Sequence, residues 1–128
     1  MDVITACLQS KINREVYVRQ PRGFETVNNT GKPYVWNLNT AGYGLGDSAR
    51  SWHQTLCSGL RQLGWKQTIL DPCILLRGSG DHYNILTMHV DHCMITSAST
   101  SESKRIKEEI QQKFKTKDLG EAKSLLDL

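Results

Sequence analysis

The stretch "ILTMHVDHCMI", residues 85–95, decides how the rest of the chain is read. Apolar runs flank a four-residue centre, His89-Val90-Asp91-His92, which sets one acid between two imidazoles. Each run has the length of a strand rather than a helix. Val90, Asp91 and His92 then form the tight turn of a hairpin. Three readings of the centre are open: a metal site, a plain turn, or a catalytic motif with one member replaced.

The stretch is one half of a larger alternation. Before it, "CILL" reads as a strand after the turn at Asp71-Pro72, and "RGSGDH" as a hairpin turn into "YNILTMHV". After it, "CMITS" is a further short strand. Ser99 and Glu102 make a capping box, and Ile106, Ile110 and Phe114 mark one face of a helix ending near Lys115. Nearer the N-terminus, "MDVITACL" opens as a short strand carrying Val3 and Ile4. "REVYVRQPRGF" alternates as a half-buried strand around Val16 and Val18, stopping at Pro21 and Gly23. "ETVNNTGKPY" is loop by composition. Across residues 48–63, Trp52, Leu56, Leu60 and Leu63 recur at helical spacing, with Gly64 placed to cap the end. The tail "TKDLGEAKSLLDL" fits no single pattern. Strands and helices mixed around central hairpins predict an α+β fold, without repeats or linkers.

Bulk properties bound the function. A chain of 128 residues is one domain's worth, and 38% hydrophobic content with a mean hydropathy of −0.45 is that of an ordinary globular domain. The most apolar run is interrupted by Asn84, Thr87 and His89, short of the roughly 18 residues a membrane span needs. An acid at position 2 and no basic-then-apolar start argue against a signal peptide. Cys7, Cys57, Cys73 and Cys93 are far apart, which disfavours a structural zinc knuckle. It predicts reduced thiols in an intracellular protein, cytoplasmic or nuclear. A net charge of +3 permits a nucleic-acid partner without requiring one.

Six blocks in one order carry a resemblance: "MDVITACL", "EVYVRQPRGFE", "YGLGDSARSWHQTL", "LGWKQTILDPCILL", "HVDHCMI" and "FKTKDLGEAKSLL". Together they resemble the reverse transcriptase of Ty1/copia-type retrotransposons, whose first block reads Met-Asp-Val-Lys-Thr-Ala-Phe-Leu and whose fifth reads Tyr-Val-Asp-Asp. The resemblance implies part of a right-hand polymerase palm. In it an antiparallel sheet bears an acid on a hairpin, and helices pack on one face. It implies an RNA template, a DNA primer and deoxynucleoside triphosphates as partners, and Mg²⁺ as cofactor. Two such ions about 3.5–4 Å apart serve the in-line displacement at phosphorus. Carried over, the catalytic positions are Asp2, Asp91 and His92, the metal ligands Asp2 and Asp91, and the substrate-binding positions Cys7, Asp47 and Ser48.

Several of these positions depart from the family pattern. His92 stands where the family has Asp, His89 where it has Tyr, Cys7 where it has Phe, Asp47 where it has Gln, and Ala49 where it has Pro. Each alone reads as drift, but their concentration at the polymerase site reads as relaxed selection on catalysis. The matching blocks also begin at the first catalytic aspartate, so a partial domain is expected, without fingers or ribonuclease H. The leading expectation is a chain inactive alone, one that self-associates through exposed core. The alternatives are an active piece completed by another chain and a co-opted nucleic-acid or protein binding module.

Other groupings are weaker. A zinc site from His89, Asp91 and His92, with His82 or Cys93, lacks a firm fourth ligand, because strand alternation turns His92 away from the other two. Cys57 and Cys73 have no accompanying acid–base pattern and read as small buried residues. Lys104, Arg105 and Lys107 are interleaved with Glu102, Glu108 and Glu109, the pattern of a solvated helix face. Of Trp36, Trp52 and Trp65, which could stack on bases, the last two read as packing.

Overall fold

The fold is that of a computed structural model, which describes residues 1–80 and 82–122. The end of the block at 114–126 therefore lies outside the described residues, as does Asp81 in the expected hairpin turn. The chain is α+β. Strands β1 (Asp2–Val3), β4 (Lys66–Gln67), β5 (Ile74–Ser79), β6 (His82–His89), β7 (His92–Thr96) and β8 (Thr116–Lys117) form one six-stranded sheet, ordered β4-β5-β6-β7-β1-β8. All its pairings are antiparallel. Strands β2 (Tyr17–Arg19) and β3 (Val35–Asn37) make a separate two-stranded ribbon, which leaves Tyr17, Val35 and Trp36 exposed.

Helices α1 (Ser48–Gln62) and α2 (Thr100–Gln111) both pack on one face of the large sheet. Directly paired residues share a face, so Leu75 with Leu86 and Met88 with Cys93 line the same side. Against them α1 lays Trp52, Leu56, Cys57 and Leu60, and α2 lays Ile106 and Ile110, all in one buried cluster with Val3, Trp65 and Phe114. The Trp52 and Phe114 rings meet edge to face at 5.7 Å. The expected helix over 48–63 is found almost as read, with Gly64 at φ +84 closing it. The cap on α2 is also as read, since Ser99 accepts from the Glu102 backbone N–H.

Three local expectations need correcting. The opening strand is only Asp2–Val3, because Thr5 turns left-handed (φ 51) and Ala6–Gln9 winds into a short 3-10 turn. The "RGSGDH" turn is mostly strand: Arg77, Gly78 and Ser79 pair with Asn84, Tyr83 and His82, so ladder bonds extend to the hairpin tip. His92 is not part of the tight turn. It pairs with His89, leaving Val90 and Asp91 as a two-residue connection. That connection requires positive φ, and Val90 adopts 53°, a rare conformation for a β-branched residue.

Candidate metal-binding carboxylate–imidazole site

Strand alternation sends neighbours to opposite faces, so Val3 and Cys93 in the core place Asp2 and His92 on the face without helices. Asp2 and His92 are cross-strand partners, which sets their side chains together without any long-range adjustment. Asp91, at the hairpin tip, comes in beside them. Its Oδ1 is 2.9 Å from His92 Nδ1, and His92 Nε2 is 3.9 Å from Asp2 Oδ1. Side-chain exposures of 32%, 35% and 48% for Asp2, Asp91 and His92 leave the group accessible from solvent. Among the described residues these three form a group whose ligand atoms lie within 4.8 Å of one another.

The backbone holds this arrangement. The Val3 N–H donates to the Asp91 carbonyl at 2.8 Å, and the Cys93 N–H to the Met1 carbonyl at 2.9 Å. From beneath, the buried Trp52 donates its indole N–H to the Val90 carbonyl at 2.7 Å. This bond ties helix α1 to the strained residue of the turn. The helical spacing of Trp52 signals packing and carries no signal for this second role. Trp52→Phe keeps most of the buried ring and removes the donor. We expect a loss of about 1–2 kcal/mol in chemical unfolding. Faster amide exchange confined to residues 90–92 would accompany it; uniform loosening of the core would contradict the tie.

The other expected positions fall elsewhere. Cys7 is buried in the 3-10 turn, at 5% exposure, and is not part of the ligand group. Asp47 precedes α1 and is gripped by Arg14 through two bonds, at 2.8 and 3.2 Å. That hydrogen-bonded guanidinium holds its carboxyl below the usual carboxylate range. Ser48 is buried, and its hydroxyl donates to the Gly42 carbonyl.

The zinc grouping of the sequence reading is rearranged. His92 turns toward Asp91 rather than away, and neither His89 nor Cys93 joins the described group. Cys93 points into the core, where burial pushes its thiol up to about 11 and keeps it protonated at neutral pH. Cys57 lies 3.6 Å from His53 Nε2, a contact at i, i+4 on helix α1. Burial raises its thiol too, so the pair is not an activated nucleophile. Arg105 is spent on Glu102 and Glu109, and Lys107 on Asp118. Trp52 and Trp65 are buried, and Trp36 is exposed.

The donor set can be tested against the magnesium pair that such a palm would carry. Two carboxylates and one imidazole offer one nitrogen and two negative charges. Hard Mg²⁺ takes oxygen, and two such ions bring four positive charges. The residues present do not fit the pair.

The family model for reverse transcriptase (RNA-dependent DNA polymerase) matches residues 1–128. The chain belongs to the reverse transcriptase family. Among curated relatives, this reverse transcriptase domain is 32% identical over 129 residues to a Retrovirus-related Pol polyprotein from transposon TNT 1-94 of Nicotiana tabacum. That match covers 100% of this chain and 10% of the polyprotein. It is 30% identical over 128 residues to a putative transposon Ty5-1 protein of Saccharomyces cerevisiae, covering 100% of this chain and 41% of that protein. A Pol polyprotein from transposon RE2 of Arabidopsis thaliana is 31% identical over 118 residues, covering 92% of this chain and 8% of its own length. These relatives place the chain with the Ty1/copia-type reverse transcriptases. The chain therefore spans about a tenth of the tobacco relative and about two fifths of the yeast one. No solved structure matches it. No helix among the described residues is long and apolar enough to cross a membrane.

Proposed function

We propose that this chain forms palm structure of a copia-type RNA-directed DNA polymerase and has no polymerase activity of its own. The observation that carries the proposal is the convergence of Asp2, from the first strand, with the Asp91 hairpin tip on the helix-free face of the sheet. Family membership supports the reading of that face as the one turned to primer and template. Mg²⁺ would supply charge neutralisation and activation of the primer hydroxyl in such a polymerase. Here Asp2 and Asp91 would hold the ion, while His92 would contribute neither a third oxygen nor a third charge. Substrate contacts from Cys7, Asp47 and Ser48 draw no support from the geometry, since the first is buried and the other two are already engaged. An intracellular setting is part of the proposal, supported by four unpaired cysteines.

Primer extension on an RNA template tests the reading. With Mg²⁺ and all four deoxynucleoside triphosphates, the wild-type chain is expected to give no extended product. Templated extension by the wild type, abolished by Asp91→Asn, would show an active polymerase and refute it.

A further inference from the structure

The β2–β3 ribbon takes no part in the carboxylate corner, and it carries the one tryptophan that core packing does not account for, Trp36. Bridges at Lys11–Thr40 and Val27–Pro33 close residues 11–40 into an excursion around the ribbon. Trp52, Trp65 and Phe114 are buried in the core, whereas Tyr17, Phe24, Tyr34 and Trp36 all stand exposed on this excursion.

Register brings two of these rings together. Trp36 is paired with Val18, so both lie on one face of the ribbon. The chain runs extended from Pro33 to Asn37, which puts Tyr34, two residues before Trp36, on that face too. Tyr34 and Trp36 are 53% and 45% exposed. A two-residue step along a strand is about 6.8 Å, twice the roughly 3.4 Å rise between bases of one nucleic-acid strand. Rings projecting side by side at that spacing admit one base between them.

Charge gathers on the same excursion. Residues 11–40 hold five basic residues, Lys11, Arg14, Arg19, Arg22 and Lys32, against two acids, Glu15 and Glu25. That surplus of three equals the net charge of the whole chain, +3, so the remaining residues balance. Arg14 is held by Asp47. Among the described residues Lys11, Arg19, Arg22 and Lys32 enter no ion pair, whereas Arg105 and Lys107 on α2 are both paired. Exposed rings beside unpaired cations suit a polyanion that offers flat faces. A single-stranded nucleic acid offers them, and a duplex keeps its base faces stacked. A second copy of the chain meets the apolar part of this surface but brings the same positive surplus against it.

We propose that the β2–β3 ribbon is a sequence-tolerant platform for single-stranded nucleic acid, with Tyr34 and Trp36 stacking on bases and Arg19, Arg22 and Lys32 holding phosphates. Neither the ion nor position 92 enters it. Anisotropy of a labelled oligouridylate of about 12 nucleotides, in about 50 mM salt, is expected to show saturable binding. Tryptophan fluorescence is quenched with it, because Trp36 is the exposed indole. Trp36→Ala and Tyr34→Ala each weaken binding at least about fivefold, and Trp36→Phe restores most of the loss. Arg19→Gln weakens binding and flattens its salt dependence, while Lys104→Gln on α2 changes neither. All variants keep the wild-type far-ultraviolet circular dichroism.

No saturable binding, wild-type affinity in Trp36→Ala and Tyr34→Ala, or equal affinity for a duplex of the same length would overturn the platform. Equal competition by phosphatidylserine vesicles would overturn it in favour of a membrane surface. A wild-type chain that binds no oligonucleotide, but becomes monomeric as Trp36→Ala, would overturn it in favour of a second copy. Each of these failures leaves the palm reading standing, since primer extension tests that separately.

Discussion

His92→Asp is expected to raise single-nucleotide incorporation by about a thousandfold over the wild-type chain, measured with Mg²⁺ in large enzyme excess. The magnitude follows from the electrostatics of phosphoryl transfer. One more carboxylate beside the ions supplies several kcal/mol of transition-state stabilisation, and about 4 kcal/mol is a factor of about a thousand. Position 92 is half exposed and opens a strand directly opposite Asp2, so the substitution needs no rearrangement of the core. The added charge has a cost. Three carboxylates would crowd one corner without an ion, so His92→Asp is expected to melt lower in chelator and recover when Mg²⁺ is added. Equal incorporation by the two chains, with Mg²⁺ demonstrably bound, would show that position 92 is not the lesion.

A second large effect lies at the opposite end of β6, in its pairing with β5. Gly78 sits in β5 at φ +131, a region closed to side-chain-bearing residues, and a Cβ there would come within 2.0 Å of the His82 carbonyl oxygen. The neighbour is backbone in the paired strand, so it cannot swing aside as a flexible side chain would. Gly78→Ala is expected to cost about 3 kcal/mol or more in chemical unfolding. The loss should appear in the β5–β6 ladder, which carries Leu75 and Leu86 into the core. An unchanged unfolding midpoint would mean that the hairpin tip accommodates the methyl group, and that its conformation is not imposed by the sheet.

Much of this fold was legible because its signals are local. The Trp52, Leu56, Leu60 spacing and Gly64 wrote helix α1 into the sequence, and Ser99 with Glu102 wrote the start of α2. The strands that escaped notice, β3, β4 and β8, have two or three residues each, too short for a period of two to register. The boundary at "RGSGDH" was misread for a different reason. Gly and Ser mark turns by their conformational range, but cross-strand pairing extends a ladder through them wherever the partner backbone is in reach. At the site, Asp2 and Asp91 came from block resemblance, because nothing in their spacing shows that residues 2 and 91 meet. The orientation of His92 depended on where the alternation of the strand stops. Strand alternation carried through residues 89–92 sends His92 away from Asp91, but the two-residue turn at Val90 and Asp91 breaks that alternation and brings Asp91 in beside it.

The exposed apolar surface bears on handling the protein. Phe24, Tyr17 and Trp36 on or beside the β2–β3 ribbon are exposed, as are Ile69 and Leu70 in the loop before β5. These residues support the expectation of self-association.

We propose that Asp2 and Asp91, with His92 beside them, form one metal-holding corner of a polymerase palm. Paramagnetic mapping with Mn²⁺ tests it most directly, since that ion accepts carboxylate oxygens and broadens amide resonances near it. At substoichiometric Mn²⁺, the losses are expected to centre on residues 1–3 and 89–93 and to disappear in Asp2→Asn with Asp91→Asn. Broadening centred on Glu102, Glu109 or Asp118, or spread evenly over the acidic surface, would contradict the assignment.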